Sequence, residues 1–320
     1  MKFFLTGATG FIGGQIARQL RSDGHEVRAL ARPTANADAL RAAGIRVFPG
    51  DVGDRRSLRA PMEGVDGVFH VAGWYRVGSK DRATAIAVNV EGTRNVLETM
   101  RDLGIPKGVY TSTLAVNSDT RGAVVDEGYR RGGPWLTLYD ESKWRAHFEV
   151  AEPLVRSGLP LVTVLPGVVY GPGDTSPMHD VWVEFLTRRL RAVPRVTAYC
   201  FGHVDDVARA HLLAMERGAP RESYIIAGPP HTLVDALEVA GRATGIPVPS
   251  SHPPAGLVRF LAALTRSERL RVATATYLGS NARAVRELGY RPRSLAEGLP
   301  PTLAAELALL RPPERGPTSG

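Results

Sequence analysis

The sequence predicts a doubly wound α/β fold, a parallel sheet with helices on both faces. Three observations carry that prediction. Short apolar runs alternate with helix-period segments from residue 2 to about residue 110, as strands buried on both sides require. Gly7, Gly10 and Gly13 fall where the first strand passes into the first helix. A chain of 320 residues is long enough for such a sheet and a smaller second part, at roughly 100–200 residues per domain.

Each element follows in order. Residues 2–5 read as a buried strand and residues 7–14 as a glycine loop. Residues 11–21 have helical spacing, with Ile12, Ile16 and Leu20 on one face. After the turn Ser22-Asp23-Gly24, residues 26–30 form a second strand. A helix over 37–43 ends at Gly44. Residues 46–48, 67–71 and 108–111 are further strands, separated by a short helix at 55–61 and a long one at 84–103 that stops at Gly104. A second long helix covers 138–157 and precedes a strand at 161–165. The alternation then loosens. Residues 166–200 are rich in proline and glycine and hold one amphipathic helix near 181–190. Helices are expected at 203–217, 233–244, 257–264 and 280–288, with a strand at 223–227. Residues 246–256 contain four prolines and read as a connection, and residues 311–320 read as a disordered tail.

Composition narrows the function classes. Apolar residues make up 43% and charged residues 22%, an ordinary globular balance. No apolar run approaches the ~18 residues of a membrane span, and no basic stretch precedes a secretory core. A soluble, cytoplasmic protein without a membrane partner is expected. The formal charge is +8. Lysine occurs only at Lys2, Lys80, Lys107 and Lys143, and the arginines are scattered, with pairs no longer than Arg55-Arg56, Arg130-Arg131 and Arg188-Arg189. There is no basic tail and no basic–aromatic stripe, so no nucleic-acid partner is expected. The single cysteine, Cys200, excludes an internal disulfide and a multi-thiolate metal site; no metal is expected.

The glycine loop points to a phosphate-bearing cofactor. Glycine removes the Cβ that would keep a phosphate from the backbone, and the helix that follows aims free N–H groups and its positive dipole end at it. Gly7, Thr9, Gly10, Phe11, Ile12 and Gly13 are the candidate contacts. A dinucleotide fold declares its ribose preference after the second strand, where an acid binds a 2′-hydroxyl and an arginine accommodates a 2′-phosphate. Ala31 stands in the acid's place and Arg32 follows. NADP(H) is therefore favoured, with NAD(H) possible. Asp51, before Val52, either accepts a hydrogen bond from the adenine amino group or caps a turn. Val71, Ala72 and Gly73 end the fourth strand with small residues that leave room for the cofactor. Tyr139 and Lys143 are i and i+4 on one helix face. An ammonium ~4 Å from a phenol favours the phenolate by up to ~4 kcal/mol at an effective dielectric near 20, a route to a tuned acid–base.

As an ordered set, Thr6–Gly13, Asp51, the strand end His70–Gly73, Asn89-Val90-Glu91-Gly92-Thr93, Tyr110–Thr113, Tyr139–Lys143 and His203-Val204-Asp205-Asp206 resemble the extended short-chain dehydrogenase/reductase superfamily over roughly residues 1–230. Within it, the chain looks most like the dihydroflavonol-4-reductase-like and hopanoid-associated epimerase-like branch. The resemblance implies a Rossmann domain over 1–165 and a substrate-binding part over 166–310, with segments near 201–227 returning to the first. It implies a catalytic hydroxyl at Thr113, with Ser112 as the alternative, where relatives commonly carry serine. It implies acid–base work by Tyr139, lowering of the Tyr139 pKa by Lys143, and an organising role for Asn89. Thr111, Tyr139, Lys143, Pro166 and Val168 join the expected cofactor contacts. The same resemblance implies a homodimer through the helices at 84–103 and 138–157.

Departures from the sugar-nucleotide pattern narrow the chemistry. Leu165 and Val168 stand where epimerases and dehydratases carry arginine and asparagine, and Leu114-Ala115 where dehydratases carry Asp-Glu. The first reading is an NAD(P)(H)-dependent oxidoreductase for a small apolar or planar carbonyl compound or secondary alcohol. The second is an epimerase or dehydratase of a sugar nucleotide, and the third a non-catalytic NADP-sensing regulator. Trp74, Tyr75, Thr113, Trp135, Leu136, Tyr170, His179 and Trp182 are the candidate substrate walls, since aromatic rings suit such a substrate.

Overall fold

The computed structural model of the protein describes residues 1–310; the expected tail at 311–320 lies outside the described residues. Its strands are β1 (Lys2–Thr6), β2 (Glu26–Ala31), β3 (Arg46–Pro49), β4 (Gly67–His70), β5 (Gly108–Thr111), β6 (Leu161–Pro166), β7 (Val168–Tyr170), β8 (Ala198–His203), β9 (Ser223–Ile226), β10 (Pro230–Thr232) and β11 (Thr276–Tyr277). Seven of them form one parallel sheet in the order β3-β2-β1-β4-β5-β6-β9. The order reverses between β1 and β4, the place where a doubly wound sheet opens a crevice at its carboxyl edge.

Strand residues alternate between two cores. Phe3 and Leu5 join Ile16 and Leu20 of the first helix, Phe11–Ser22, and Val207 and Leu213 of the helix Val204–Arg217. Phe4 faces the other way, to Leu58, Val96, Leu97, Met100, Tyr110 and Leu161. Both faces are covered, so the strands read as continuous apolar runs.

The two long helices run over 82–102 and 138–156, within two residues of expectation at each end. Each contains a wider π turn, Ala87–Glu91 in the first and Arg145–Ala151 in the second, a feature that apolar spacing over whole helices does not distinguish. The helix expected near 181–190 lies at Pro177–Leu186, because Ser176 caps it and Pro177 occupies its first turn. The 166–200 region, read as largely irregular, supplies β7 and the first half of β8. β8 is the centre of a second, four-stranded sheet, paired with β10 antiparallel and with β7 and β11 parallel. Its other members are two or three residues long, too short to show a period. A last helix, Leu295–Leu310, was not expected, since Pro300 and Pro301 stand inside it.

The chain changes sheets at Gly167. A Cβ there would lie 2.1 Å from the Cys200 carbonyl oxygen and 3.0 Å from Ala227 Cβ. Gly167→Ala should therefore destabilise the protein by about 3 kcal/mol in urea unfolding. An unchanged midpoint would show that the corner is not closely packed.

Candidate functional site

The glycine loop sits at the carboxyl edge of β1. Gly7 has φ 76°, and a Cβ on it would come within 2.7 Å of the Ala72 amide nitrogen; a Cβ on Gly13 would come within 2.1 Å of the Gly7 carbonyl oxygen. These two glycines let the helix approach the strand ends. Gly10 caps the helix, with no side chain bonded to it, and the first amide to reach an intrahelical acceptor is Gly14, to Gly10 O at 2.8 Å. The amides of Phe11, Ile12 and Gly13 are thus orphan donors at a positive helix end. Thr9 and Gly10 are exposed beside them. A pyrophosphate fits this cradle, and the nicotinamide dinucleotide expected from the sequence is compatible with it.

The Arg32 side chain is exposed at the end of β2 and has no polar partner among the described residues. Asp51 Oδ1 accepts the Gly53 amide at 2.8 Å, as the turn reading expected. The Val52 side chain is buried in the core beside Gly92. Val71 and Ala72 donate their amides to the Thr6 hydroxyl, both at 3.1 Å. Thr6 therefore gives its own proton to His70 Nδ1 at 2.8 Å, and His70 Nε2 donates to Thr93 at 3.0 Å. Burial, aided by the Lys143 charge, lowers the His70 pKa to about 3 and keeps the ring neutral.

The helix at 138–156 starts with the expected pair in place. Thr137 caps it by accepting the Asp140 amide at 3.0 Å and donating to Asp140 Oδ1 at 2.7 Å. Asp140 Oδ2 also accepts from Ser118 at 2.9 Å and from the Tyr277 phenol at 3.1 Å. Burial raises the Asp140 pKa to about 6. Sequence reading passed over Asp140, although Thr137-x-x-Asp140 is a capping signal.

Tyr139 projects beside Tyr75, with ring centroids 4.5 Å apart. Burial holds the Tyr139 phenol above its ordinary value, against a smaller lowering influence of the Thr113 hydroxyl. Ser112 bonds His147 Nδ1 at 2.7 Å, whereas the Thr113 hydroxyl accepts the Ala115 amide at 3.2 Å. Asn89 is buried. It accepts the Trp74 amide at 2.7 Å and donates to Trp74 O and Ser142 Oγ, both at 2.9 Å; Ser142 in turn donates to Tyr139 O. It thereby ties the loop after β4 to the Tyr139 helix.

Lys143 departs from expectation. Its Nζ donates to Thr111 O at 2.9 Å and to the Tyr110 phenol at 3.3 Å. Burial lowers its pKa from 10.5 to about 7. Its amine is thereby held at the end of β5. The Thr111 side chain points to the opposite face, bonding His211 at 2.9 Å. Pro166 is buried at the end of β6, and Val168 is half-buried in β7.

Only part of the expected substrate wall converges. Tyr75 and Trp74 lie at the site. Tyr170 and Trp182 are 1% and 2% exposed and belong to the second core, with Phe201 and Leu299. Their apolar bulk was pulled inward when residues 166–203 formed β7 and β8. His179 pairs with Glu306 of the last helix at 3.0 Å. The Trp135 ring lies tilted against Trp144, centroids 5.0 Å apart, and Leu136 packs against the second core.

The NAD-dependent epimerase/dehydratase family model matches residues 3–227. The chain belongs to this family. A Synechocystis protein named "Putative dihydroflavonol 4-reductase" is 33% identical, over 93% of this chain and 92% of its own. Sterol demethylase protein B of Methylococcus capsulatus is 31% identical, over 92% and 94%. The crystal structure of gox2253 superposes with a TM-score of 0.85 at 30% identity, covering 96% of this chain and 98% of that one. The protein is an NAD(P)-dependent enzyme of the extended short-chain dehydrogenase/reductase type with a Rossmann sheet.

Lys143 also leaves a mark on stability. The unfolded chain holds a proton on it up to about pH 10.5, whereas the folded chain releases it near pH 7. Unfolding takes up a proton in that window, so stability rises with pH there. His70 and His147, both lowered to about 3, act below pH 6.5 and leave the window clear. Lys143→Met should remove the rise between about pH 7 and 9 in chemical denaturation. An unchanged slope would place the titration elsewhere.

Proposed function

We propose that the protein is an NADP(H)-dependent reductase of a small apolar carbonyl compound. The observation that carries this reading is the half-buried Tyr139 at the start of its helix, its ring 4.5 Å from Tyr75 at the crevice edge, with the Thr113 hydroxyl acting on its phenol. The bound nicotinamide supplies the hydride. The residues of the chain do the rest. The Tyr139 phenol is protonated at neutral pH and can give its proton to a carbonyl oxygen as the hydride arrives. Thr113 holds the same substrate oxygen. Gly10, Phe11, Ile12 and Gly13 present the amides that would hold the pyrophosphate, and Lys143 stands ready beside Thr111 O to bind a ribose hydroxyl. Leu165 and Val168 offer a sugar nucleotide no hydrogen bond, which supports the reductase reading over an epimerase. The unpartnered Arg32 supports NADPH over NADH.

The helices at 82–102 and 138–156 pack side by side, joined by Arg82 and Glu141 at 2.8 Å. We propose this pair as a homodimer face; a monomer in analytical sedimentation would overturn it.

Titration should give tighter binding of NADPH than of NADH, and Arg32→Ala should shrink that preference by about tenfold. NADPH should be consumed stoichiometrically with at least one member of a panel of ketones, aldehydes and flavanonols. Tyr139→Phe should cut turnover by roughly 10²–10⁴-fold and leave NADPH binding intact. Product formation without net NADPH consumption would point to an epimerase. Retained turnover in Tyr139→Phe would remove its assigned role.

A further inference from the structure

The helix Ala255–Thr265 has an apolar face left largely exposed. Val258 and Ala262 turn inward. Leu257, Phe260, Leu261 and Leu264 are 52%, 65%, 40% and 71% exposed. Their spacing is i, i+3, i+4 and i+7, so all four share one face. Surface helices ordinarily place charge there, and a contiguous apolar stripe of this kind marks an interaction site.

Cations adjoin the stripe at its C-terminal end, where the exposed Arg266 and Arg269 follow the helix; Arg259 lies on the opposite side, donating to Thr274 O at 3.3 Å. The adjoining cavity, about 540 Å³, carries Lys80, Arg266, Arg269 and Arg271 against one acid, Glu268. Arg271 pairs with Glu268 at 3.9 Å; Lys80, Arg266 and Arg269 have no acidic partner among the described residues.

We propose that this helix docks the protein on an anionic lipid surface. Its apolar face would lie at the boundary of headgroups and acyl chains, with the cations on lipid phosphates. Charge chooses the occupant. A second copy of a chain with formal charge +8 would bring the same cations face to face, whereas an anionic bilayer brings their counter-charges. No helix among the described residues is long and apolar enough to cross a membrane, and a helix that lies on the surface needs no such length. The expectation of no membrane partner rested on the absence of a span, which does not bear on this mode.

The docked face and the catalytic crevice are neighbours. The loop that lines the cavity through Val77 and Gly78 begins at Tyr75, against Tyr139. Gly78 N donates to Glu268 at 2.8 Å, which ties this loop to the helix Glu268–Val272. The substrate class follows as a lipid-soluble carbonyl compound taken from the membrane surface. That step rests on the reductase reading; the docking does not.

The test is co-sedimentation of the full chain with phosphatidylcholine vesicles and with an equimolar mixture of phosphatidylcholine and phosphatidylglycerol. Binding should favour the anionic vesicles and weaken as salt rises. Phe260→Glu/Leu264→Glu should weaken it by about a hundredfold, and Arg269→Glu should reduce the preference for anionic lipid. NADPH binding and circular dichroism of the variants should match wild type. No pelleting with either vesicle would overturn the proposal. So would equal pelleting of Phe260→Glu/Leu264→Glu, or a wild-type dimer that this double variant dissociates. Vesicle binding together with absent carbonyl reduction would leave the docking standing and sink the reductase reading alone.

Discussion

The buried carboxyl of Asp140 holds the site together. It accepts hydrogen bonds from Thr137, Ser118 and Tyr277, and so joins the start of the helix at 138–156, the loop after β5 and the second sheet. An acid taken out of water costs free energy unless donors satisfy it, and these three do so only in one arrangement. That arrangement puts Tyr139 against Thr113 and Tyr75. If the carboxyl lost a donor, the helix start would lose its reason to sit there, and Tyr139 with it. Asn89 makes the corresponding tie from the other side, through Trp74 and Ser142.

Burial sets the protonation states around this frame. Desolvation keeps His70 and His147 neutral, lowers Lys143 toward neutrality and holds Tyr139 protonated. The cause is the same in each case: water is excluded, and the charged form is disfavoured whichever sign it carries. A neutral phenol and a half-neutral lysine differ from the phenolate–ammonium pair that i,i+4 spacing suggested. Spacing says which side chains share a face, but it does not say where a four-carbon stem ends.

Much of the Rossmann half was legible, because its signals are local and repeated. β1 through β6 and the first helix follow from apolar runs, helical period and glycine punctuation, and the glycine loop was legible down to Gly7 and Gly13. The second sheet was not. β10 and β11 are three and two residues long, and they exist because β8 offers backbone partners, a long-range fact. Tyr170 and Trp182 illustrate the consequence: as aromatic residues in a Pro/Gly-rich stretch they read as pocket walls, and once β7 and β8 pair they are core.

By itself, the sequence determined the fold class, the order of the first sheet's elements and the residue types available for hydride chemistry, since propensity, period and turn chemistry act over neighbouring residues. Only the tertiary structure decided that Ser112 bonds His147, that Lys143 reaches Tyr110 and Thr111, and that Asp140 is the clamp. The same holds for the helix at 255–265, whose apolar face is unremarkable as a pattern. Burial is a property of the assembled chain, and a side chain's partners come from segments far away in sequence. Composition and spacing therefore name the groups, and packing assigns their contacts and their charge.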